Sequence, residues 1–260
     1  MSLSVIIPAR NEEKAIAPTL EALYTTLTAE RIAHEIIVVE DHSTDGTWEN
    51  LQSLTRKIPT LRPVKNAWRG GFGLAVRYGF EQAQKDLVVV VMADGSDLPQ
   101  DVVRYYHVLQ EKGLDCVFGS RFIRGGSVQG YPFLKLLLNR FMNLSLKWLF
   151  GNRLNDTSNA FKMYRKEVIE GCKPLLSRHF NLTVEIPIKA MVRGYRYEVI
   201  PICWRERTTG STKLLLKEMG SQYLFTILYC LLEKYLLPKD YREAGTELET
   251  KKVTKLRAKV

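Results

Sequence analysis

Along the first half of the chain, unbroken apolar runs alternate with stretches whose apolar positions recur every three or four residues. "LSVIIPA" (3–9), "HEIIVVEDHS" (34–43), "LVVVVMA" (87–93) and "DCVFGSR" (115–121) predict strands, and a short strand is expected near "RPVKNA" (62–67). Between them the period changes to that of helices, over 11–30, from about 44 to 57, over 73–84 and over 99–113. Asn11, followed by acids, reads as the opening of the first helix, and Ser43 or Asp45 as the cap of the second. Strands apolar throughout, alternating with helices, predict an α/β fold. Its central sheet should be mostly parallel and covered by helices on both faces.

The second half has a different pattern. "YPFLKLLLNRFMNLSLKWLFG" (131–151) is helical, with Lys135, Asn139, Asn143 and Lys147 spaced by four on one stripe and an apolar surface almost everywhere else. It reads either as a core helix or as one lying in a membrane interface. "MGSQYLFTILYCLL" (219–232) is an uncharged run too short to span a bilayer. The segment 214–238 is expected to associate with a membrane or to self-associate. The basic end, 239–260, is either a solvated tail or a tether to anionic lipid. No internal repeat is present.

Composition narrows the partner. The chain has 260 residues and a formal charge of +10, with basic residues concentrated past about residue 120, so an anionic partner is expected. Four cysteines with no CxxC spacing exclude a disulfide scaffold or zinc knuckle and suit a reducing compartment. The start, "MSLSVIIPARNEE", does not read as a signal peptide. The four histidines show no ligand spacing.

Candidate chemistry gathers at the strand tips. Ligands of parallel sheets bind outside the carboxyl ends of the strands, and two acidic tips, "VVEDHSTD" and "VMADGSD", fall there. Asp94 and Asp97 could hold Mg²⁺ or Mn²⁺, hard ions that leave coordination positions open for substrate phosphates; "DGSDLP" also contains the ordinary formers of a turn. Glu40, Asp41 and Asp45 could accept hydrogen bonds from a base or ribose. "RGGFGLAVRYG" resembles part of a dinucleotide fingerprint, but Val76 occupies the third glycine position. What it implies is a turn whose backbone approaches a phosphate or a helix. Arg121, Lys135, Arg140, Lys162, Arg205, Arg207 and Lys213 lie in apolar surroundings, and "WRERTTGSTK" suits a loop that orders around phosphates.

Taken in order, "SVIIPARNEE", "IIVVEDHSTDGT", "GFGLAVRYGF", "VVVVMADGSDLPQDV", "FGSRFIRGGS", "NDTSNAFKMYRKEVI" and "RTTGSTK" resemble glycosyltransferase family 2, in its branch of dolichol- and polyprenyl-phosphate mannosyl- and glucosyltransferases. The resemblance implies a GT-A nucleotide-diphosphosugar transferase fold over 1–213. It places Pro8, Arg10, Glu12, Glu40, Asp41, Asp94 and Lys213 at the nucleotide sugar. Asp94 and Asp97 would hold the metal, and Arg121, Lys135 and Asn139 would face the acceptor phosphate. Catalysis would rest on Asp94, Asp97, Arg121 and Arg207. Three positions depart from the family pattern: the acid loop reads "DGSD" and not Asp-x-Asp, Gly70 stands where a lysine is common, and Glu40 replaces an aspartate.

That resemblance implies inverting transfer of a sugar from a GDP- or UDP-sugar to a polyprenyl phosphate. The expected location is the cytoplasmic side of a membrane, with the protein peripheral or anchored at the interface. A homo-oligomer is also open. An acceptor phosphate is already anionic and needs no base, whereas transfer to a saccharide or protein hydroxyl would need one, for which Asp97 is the candidate. A basic nucleic-acid binder without catalysis is the alternative of another class, and it leaves the acidic tips unexplained.

Overall fold

The computed structural model describes residues 1–205 and 216–236. The expectations for Arg207, Lys213 and 239–260 lie outside the described residues. In chain order the elements are β1 (Leu3–Ala9), α1 (Ile16–Ala29), β2 (His34–Glu40), α2 (Thr47–Leu54), β3 (Leu61–Lys65) and α3 (Phe72–Gln82). There follow β4 (Leu87–Val90), α4 (Pro99–Glu111), β5 (Cys116–Ser120), β6 (Ser127–Gln129) and α5 (Phe133–Phe150). The chain continues through β7 (Lys162–Arg165), α6 (Lys166–Gly171), α7 (Leu182–Val192), β8 (Tyr197–Pro201), β9 (Cys203–Arg205) and α8 (Leu216–Leu236).

Seven strands form one sheet in the order β3-β2-β1-β4-β7-β5-β8, and β6 pairs with β9 in a small parallel ribbon. Every neighbour pair of the large sheet is parallel except those of β7, which runs antiparallel to both β4 and β5. Because side chains alternate along a strand, Val5 and Ile7 enter the core under α1, α2 and α4, while Ile6 enters the core under α3, α6 and α7. Burial on both faces explains why these strands read as continuous apolar runs. A third, smaller cluster joins α5, α7 and α8 through Leu146, Phe150, Val184, Ile188 and Cys230.

Helix starts depart from expectation. α1 begins at Ile16 with no side-chain cap. Asn11 instead sits at φ 57° and accepts the Thr44 N–H, tying the β1 loop to the β2 loop. α2 begins at Thr47 behind Gly46, which has no capping side chain; Asp45 accepts the Thr47 N–H from just outside the helix. Both acidic loops are therefore braced against each other instead of opening helices.

The glycine-rich turn also has a different use. A Cβ at Gly73 would lie 2.7–2.8 Å from backbone atoms of Arg178 and His179, and Gly71, at φ 149°, would meet the Arg178 carbonyl at 2.8 Å. The Leu74 N–H donates to that carbonyl, and Phe72 stacks on Phe180 at 4.1 Å. The glycines thus admit the 178–180 backbone over the start of α3, not a phosphate. Gly73→Ala should destabilise the protein by about 1–3 kcal/mol, the usual cost of overpacking. At about 2–4 °C per kcal/mol for a chain of this size, thermal unfolding should detect it readily. An unchanged melting temperature would mean that the 178–179 backbone gives way without cost.

Candidate active site at the strand tips

The sheet order reverses between β1 and β4: from β1 the chain proceeds outward through β2 and β3, and β4 then returns to β1's other side. Such a switch point opens a crevice at the carboxyl ends of the strands. Pro8 marks its floor. The Ala9 carbonyl faces β2, where it accepts the Asp41 N–H, so Pro8 faces β4, whose pairing with β1 ends at Ile6 and Val90. A proline there loses no ladder bond.

Around the crevice, Arg10 is exposed and its Nη1 comes within 3.7 Å of a Cβ position at Gly70, as do His42 Nδ1 at 3.6 Å and Asp41 Oδ1 at 3.7 Å. The gap at Gly70 is therefore ringed by one acid and two potential cations. Asp41 is buried: it accepts from Asn66 Nδ2 at 2.7 Å and from the Gly71 N–H at 2.8 Å, so it anchors the β3–α3 loop to the crevice wall. Glu40 is likewise buried and accepts the Ser43 N–H of its own loop. Glu12 is half-buried; its N–H donates to the Thr47 hydroxyl, and its carbonyl starts the turn into α1.

Asp94 and Asp97 have unlike environments. Asp94 is half-buried at the loop tip and accepts the Ser96 N–H. Asp97 is buried, accepts the Met92 N–H at 2.9 Å and bridges to Trp204 of β9. Burial, with Asp94 adding repulsion against the opposing Met92 bond, raises its pKa from 3.8 to about 7. Among the described residues no three acidic, histidine or cysteine side chains gather as a metal-binding group. The donors present fit a hard dication held at the tip by Asp94, its other positions left to phosphate oxygens and water. Asp97 stands behind that position.

Arg121 ends β5 in a buried fork with Asp156. Its Nε donates to Oδ2 at 2.8 Å, its Nη2 to Oδ1 at 2.7 Å, and its backbone N–H to Oδ2 at 3.0 Å. Burial opposes the guanidinium charge, but the Asp156 bonds outweigh it and hold the pKa above the ordinary arginine value. The fork does not use Nη1, and the guanidinium carbon Cζ lies 5.3–5.8 Å from the ring centroids of Phe122, Tyr131 and Trp204. Lys135 Nζ lies 5.3 Å from the centroid of the same Tyr131 ring, and Arg140 lies over Phe122 at 4.3 Å. Arg121 and Lys135 thus share one aromatic neighbour, Tyr131. Asn139 turns inward, donating to Ser158 Oγ at 2.9 Å.

Asp156 was not named from the sequence, and Lys162 only as one of several basic residues in apolar surroundings. β7 is antiparallel, so its first residue, Lys162, pairs with Val90 at the carboxyl end of β4, and the preceding loop lies at the ligand edge. Lys162 is fully buried; burial, against the pull of Asp156, lowers its pKa to about 7. "NDTSNAFK" alone reads as a turn, and the only local signal was a lysine opening an otherwise apolar strand.

The outer face of α5 is apolar and exposed: Phe133, Phe141 and Trp148 are 79%, 73% and 86% exposed. α8 likewise exposes Leu224, Phe225 and Leu236. No helix among the described residues is long and apolar enough to cross a membrane.

Comparison with known proteins gives this geometry a context. The model of the family described as glycosyl transferase family 2 matches residues 4–172. A dolichol-phosphate mannosyltransferase of Pyrococcus furiosus is 31% identical over 82% of this chain, which spans only 59% of that relative's length. A polyprenol monophosphomannose synthase of Mycolicibacterium smegmatis is 27% identical over 81% of this chain and 80% of its own. In fold, the chain is similar to glucosyl-3-phosphoglycerate synthase from Mycobacterium tuberculosis, solved with Mg²⁺ and uridine diphosphate. The TM-score is 0.67 at 19% identity, covering 88% of this chain and 79% of that one.

Asp97 makes stability pH-dependent. Its folded-state pKa of about 7 lies above its ordinary 3.8, so its contribution is complete below the lower value, declines as pH rises and is lost by about 7. Asp97→Asn should remove that loss. The variant's melting temperature is expected to gain on the parent's between about pH 5 and about pH 8. A difference constant over that range would mean that Asp97 is ionised throughout.

Proposed function

We propose that this chain, which belongs to glycosyl transferase family 2, transfers a hexose from a GDP- or UDP-sugar to a polyprenyl or dolichyl phosphate at the cytoplasmic face of a membrane. The observation that carries this reading is on α5. One helix holds Lys135 at Tyr131, the ring that Arg121 also faces, and turns Phe133, Phe141 and Trp148 outward. A phosphate on a long apolar chain matches both features at once. The names of the two relatives above support the same substrate class.

The donor lies, in this reading, in the crevice between the β1 and β4 tips, with Arg10 at its rim and its diphosphate toward Asp94. Mg²⁺ or Mn²⁺, held by Asp94, would supply charge stabilisation to the departing diphosphate. Arg121 and Lys135 bind the acceptor phosphate and aim one oxygen at the anomeric carbon from the side opposite the leaving group. The new C–O bond forms as the bond to the diphosphate breaks, with inversion and without removal of a proton. Asp97 is buried and accepts the Met92 N–H, whereas a base for a hydroxyl acceptor must reach that hydroxyl.

The test is transfer of radiolabelled sugar from GDP-mannose, UDP-glucose or UDP-GlcNAc into the organic phase, with polyprenyl phosphate and Mn²⁺ or EDTA. Label is expected, dependent on metal and lost by a factor of about a hundred or more in Asp94→Ala. Arg121→Ala would strand Asp156 as a buried unpaired charge, so Lys135→Ala is the cleaner acceptor-side variant, expected to raise the acceptor KM by about tenfold. Label in an added saccharide, and none in lipid, would overturn the reading.

Membrane contact is tested separately by flotation with anionic phospholipid vesicles. Burying one large apolar side chain is worth about 1.5–3 kcal/mol, so Phe141→Glu with Trp148→Glu should weaken partitioning by about a hundredfold or more. If the double variant floats with the vesicles as well as the parent does, α5 is not the contact; a loss of dimers or higher oligomers would point to self-association instead.

A further inference from the structure

The loop before β7, residues 155–159, is the meeting point of the acceptor-side groups, and two side chains hold it from opposite directions. From the core, Lys162 Nζ donates to the carbonyls of Thr157, at 2.9 Å, and of Asn159. A longer bond of 3.3 Å runs to the Thr183 carbonyl in α7. Lys162 is 1% exposed, so these carbonyls stand in place of water around its charge. From the other side, Ser158 Oγ accepts from Asn139 Nδ2 at 2.9 Å and Asn143 Nδ2 at 3.0 Å, while the Ser158 N–H donates to Asn143 Oδ1. Between these holds, Asp156 grips Arg121, and the Asn155 carbonyl accepts from Arg140 Nη1.

Lys135 and Arg121 belong to different elements, α5 and the end of β5. A phosphate can be gripped by both only if the helix and the strand end keep a fixed spacing. α5 offers few apolar anchors, with Asn143, Leu146 and Phe150 its buried residues. At its acceptor end the bonds from Asn139 and Asn143 to the loop are what fix it. We propose that Lys162 and Ser158 are positioning residues for the acceptor. Through the loop they hold, Lys162 fixes the Asp156–Arg121 fork and Ser158 fixes the Lys135-bearing turn of α5. The inference rests on the reading that the acceptor phosphate binds between Arg121 and Lys135. Neither residue touches substrate; each acts through a neighbour.

The experiment separates the two Michaelis constants in Lys162→Met and Ser158→Ala, using full-length protein, a nucleotide sugar and polyprenyl phosphate, with circular dichroism and melting curves as controls. A loss of folded protein alone lowers apparent kcat and leaves both constants unchanged. Positioning predicts instead that the acceptor KM rises, about tenfold in Lys162→Met and several-fold in Ser158→Ala, while the donor KM stays within about twofold. If Lys162→Met does not fold, Ser158→Ala decides, because it removes only the two Oγ bonds to α5 and keeps the backbone bond to Asn143. Equal rises in both constants, or no rise in folded Ser158→Ala, would overturn the proposal. If the parent protein uses another acceptor, the functional reading fails by itself, and the same split measured on that acceptor still judges the positioning role.

Discussion

The buried fork between Arg121 and Asp156 is the constraint around which the acceptor side is organised. Its partners lie thirty-five residues apart and meet because β7 enters the sheet against the direction of its neighbours. A charged pair this deep is a doubtful source of net stability, since desolvation offsets much of the attraction. What it provides is orientation: with Nε and Nη2 committed to Asp156, the guanidinium plane cannot swing. The same pairing removes most of its value as a bare cation. A phosphate arriving there meets an oriented donor edge, and uncompensated charge must come from elsewhere. Lys135 and Arg140 flank the same aromatic rings, with no carboxylate partner among the described residues.

α5 is built inside out relative to an ordinary surface helix. Its polar stripe, read in the sequence as Lys135, Asn139, Asn143 and Lys147, is divided. The two asparagines face the protein and bond to Ser158, Asn143 being fully buried, while Lys147 is exposed. Phe133, Leu137, Phe141, Leu144 and Trp148 face away, while Leu146 and Phe150 pack inward near the helix's far end. Around Asn139 and Asn143, hydrogen bonds therefore do on the inner side what apolar packing does at Leu146 and Phe150, and the opposite side is left apolar and exposed. Apolar periodicity alone cannot tell that arrangement from a core helix, because both present a wide apolar arc.

The first half of the fold was legible because its physics is local. A strand buried on both faces must be apolar at every position, and a helix over a sheet repeats at 3.6 residues, so β1, β2, β4, β5 and the helices between them followed from pattern. Cap positions did not follow: Asn11, Ser43 and Asp45 carry the right chemistry for caps, but they bond between the β1 and β2 loops. The antiparallel β7 was hidden for a stronger reason. Strand direction depends on pairing with β4 and β5, fixed by residues distant in sequence, and nothing in "NDTSNAFKMYR" records it. Asp156 and Lys162 became site residues only with that direction. The glycine turn was read as one whose backbone approaches a phosphate or a helix, and what comes close to it is the 178–180 backbone.

Charge separation along the ligand edge has a plain electrostatic rationale. Two unit negative charges about 4 Å apart repel by about 4 kcal/mol at an effective dielectric near 20. An acceptor phosphate approaching a sugar diphosphate meets that repulsion more than once. Acidic side chains near the attacking oxygen would add to it, and here the acids are kept on the donor side. Glu40 is bound into its own loop, Asp41 is bound to Asn66 and Gly71 of the β3–α3 loop, and Asp97 is buried with a pKa raised to about 7. Across the crevice, Asp156 is matched by Arg121 and felt by Lys162. Its charge is spent on geometry before a substrate arrives. The surplus positive charge then sits on the surface helix, at Lys135 and Arg140, where an amphiphilic phosphate can reach it without leaving an apolar phase.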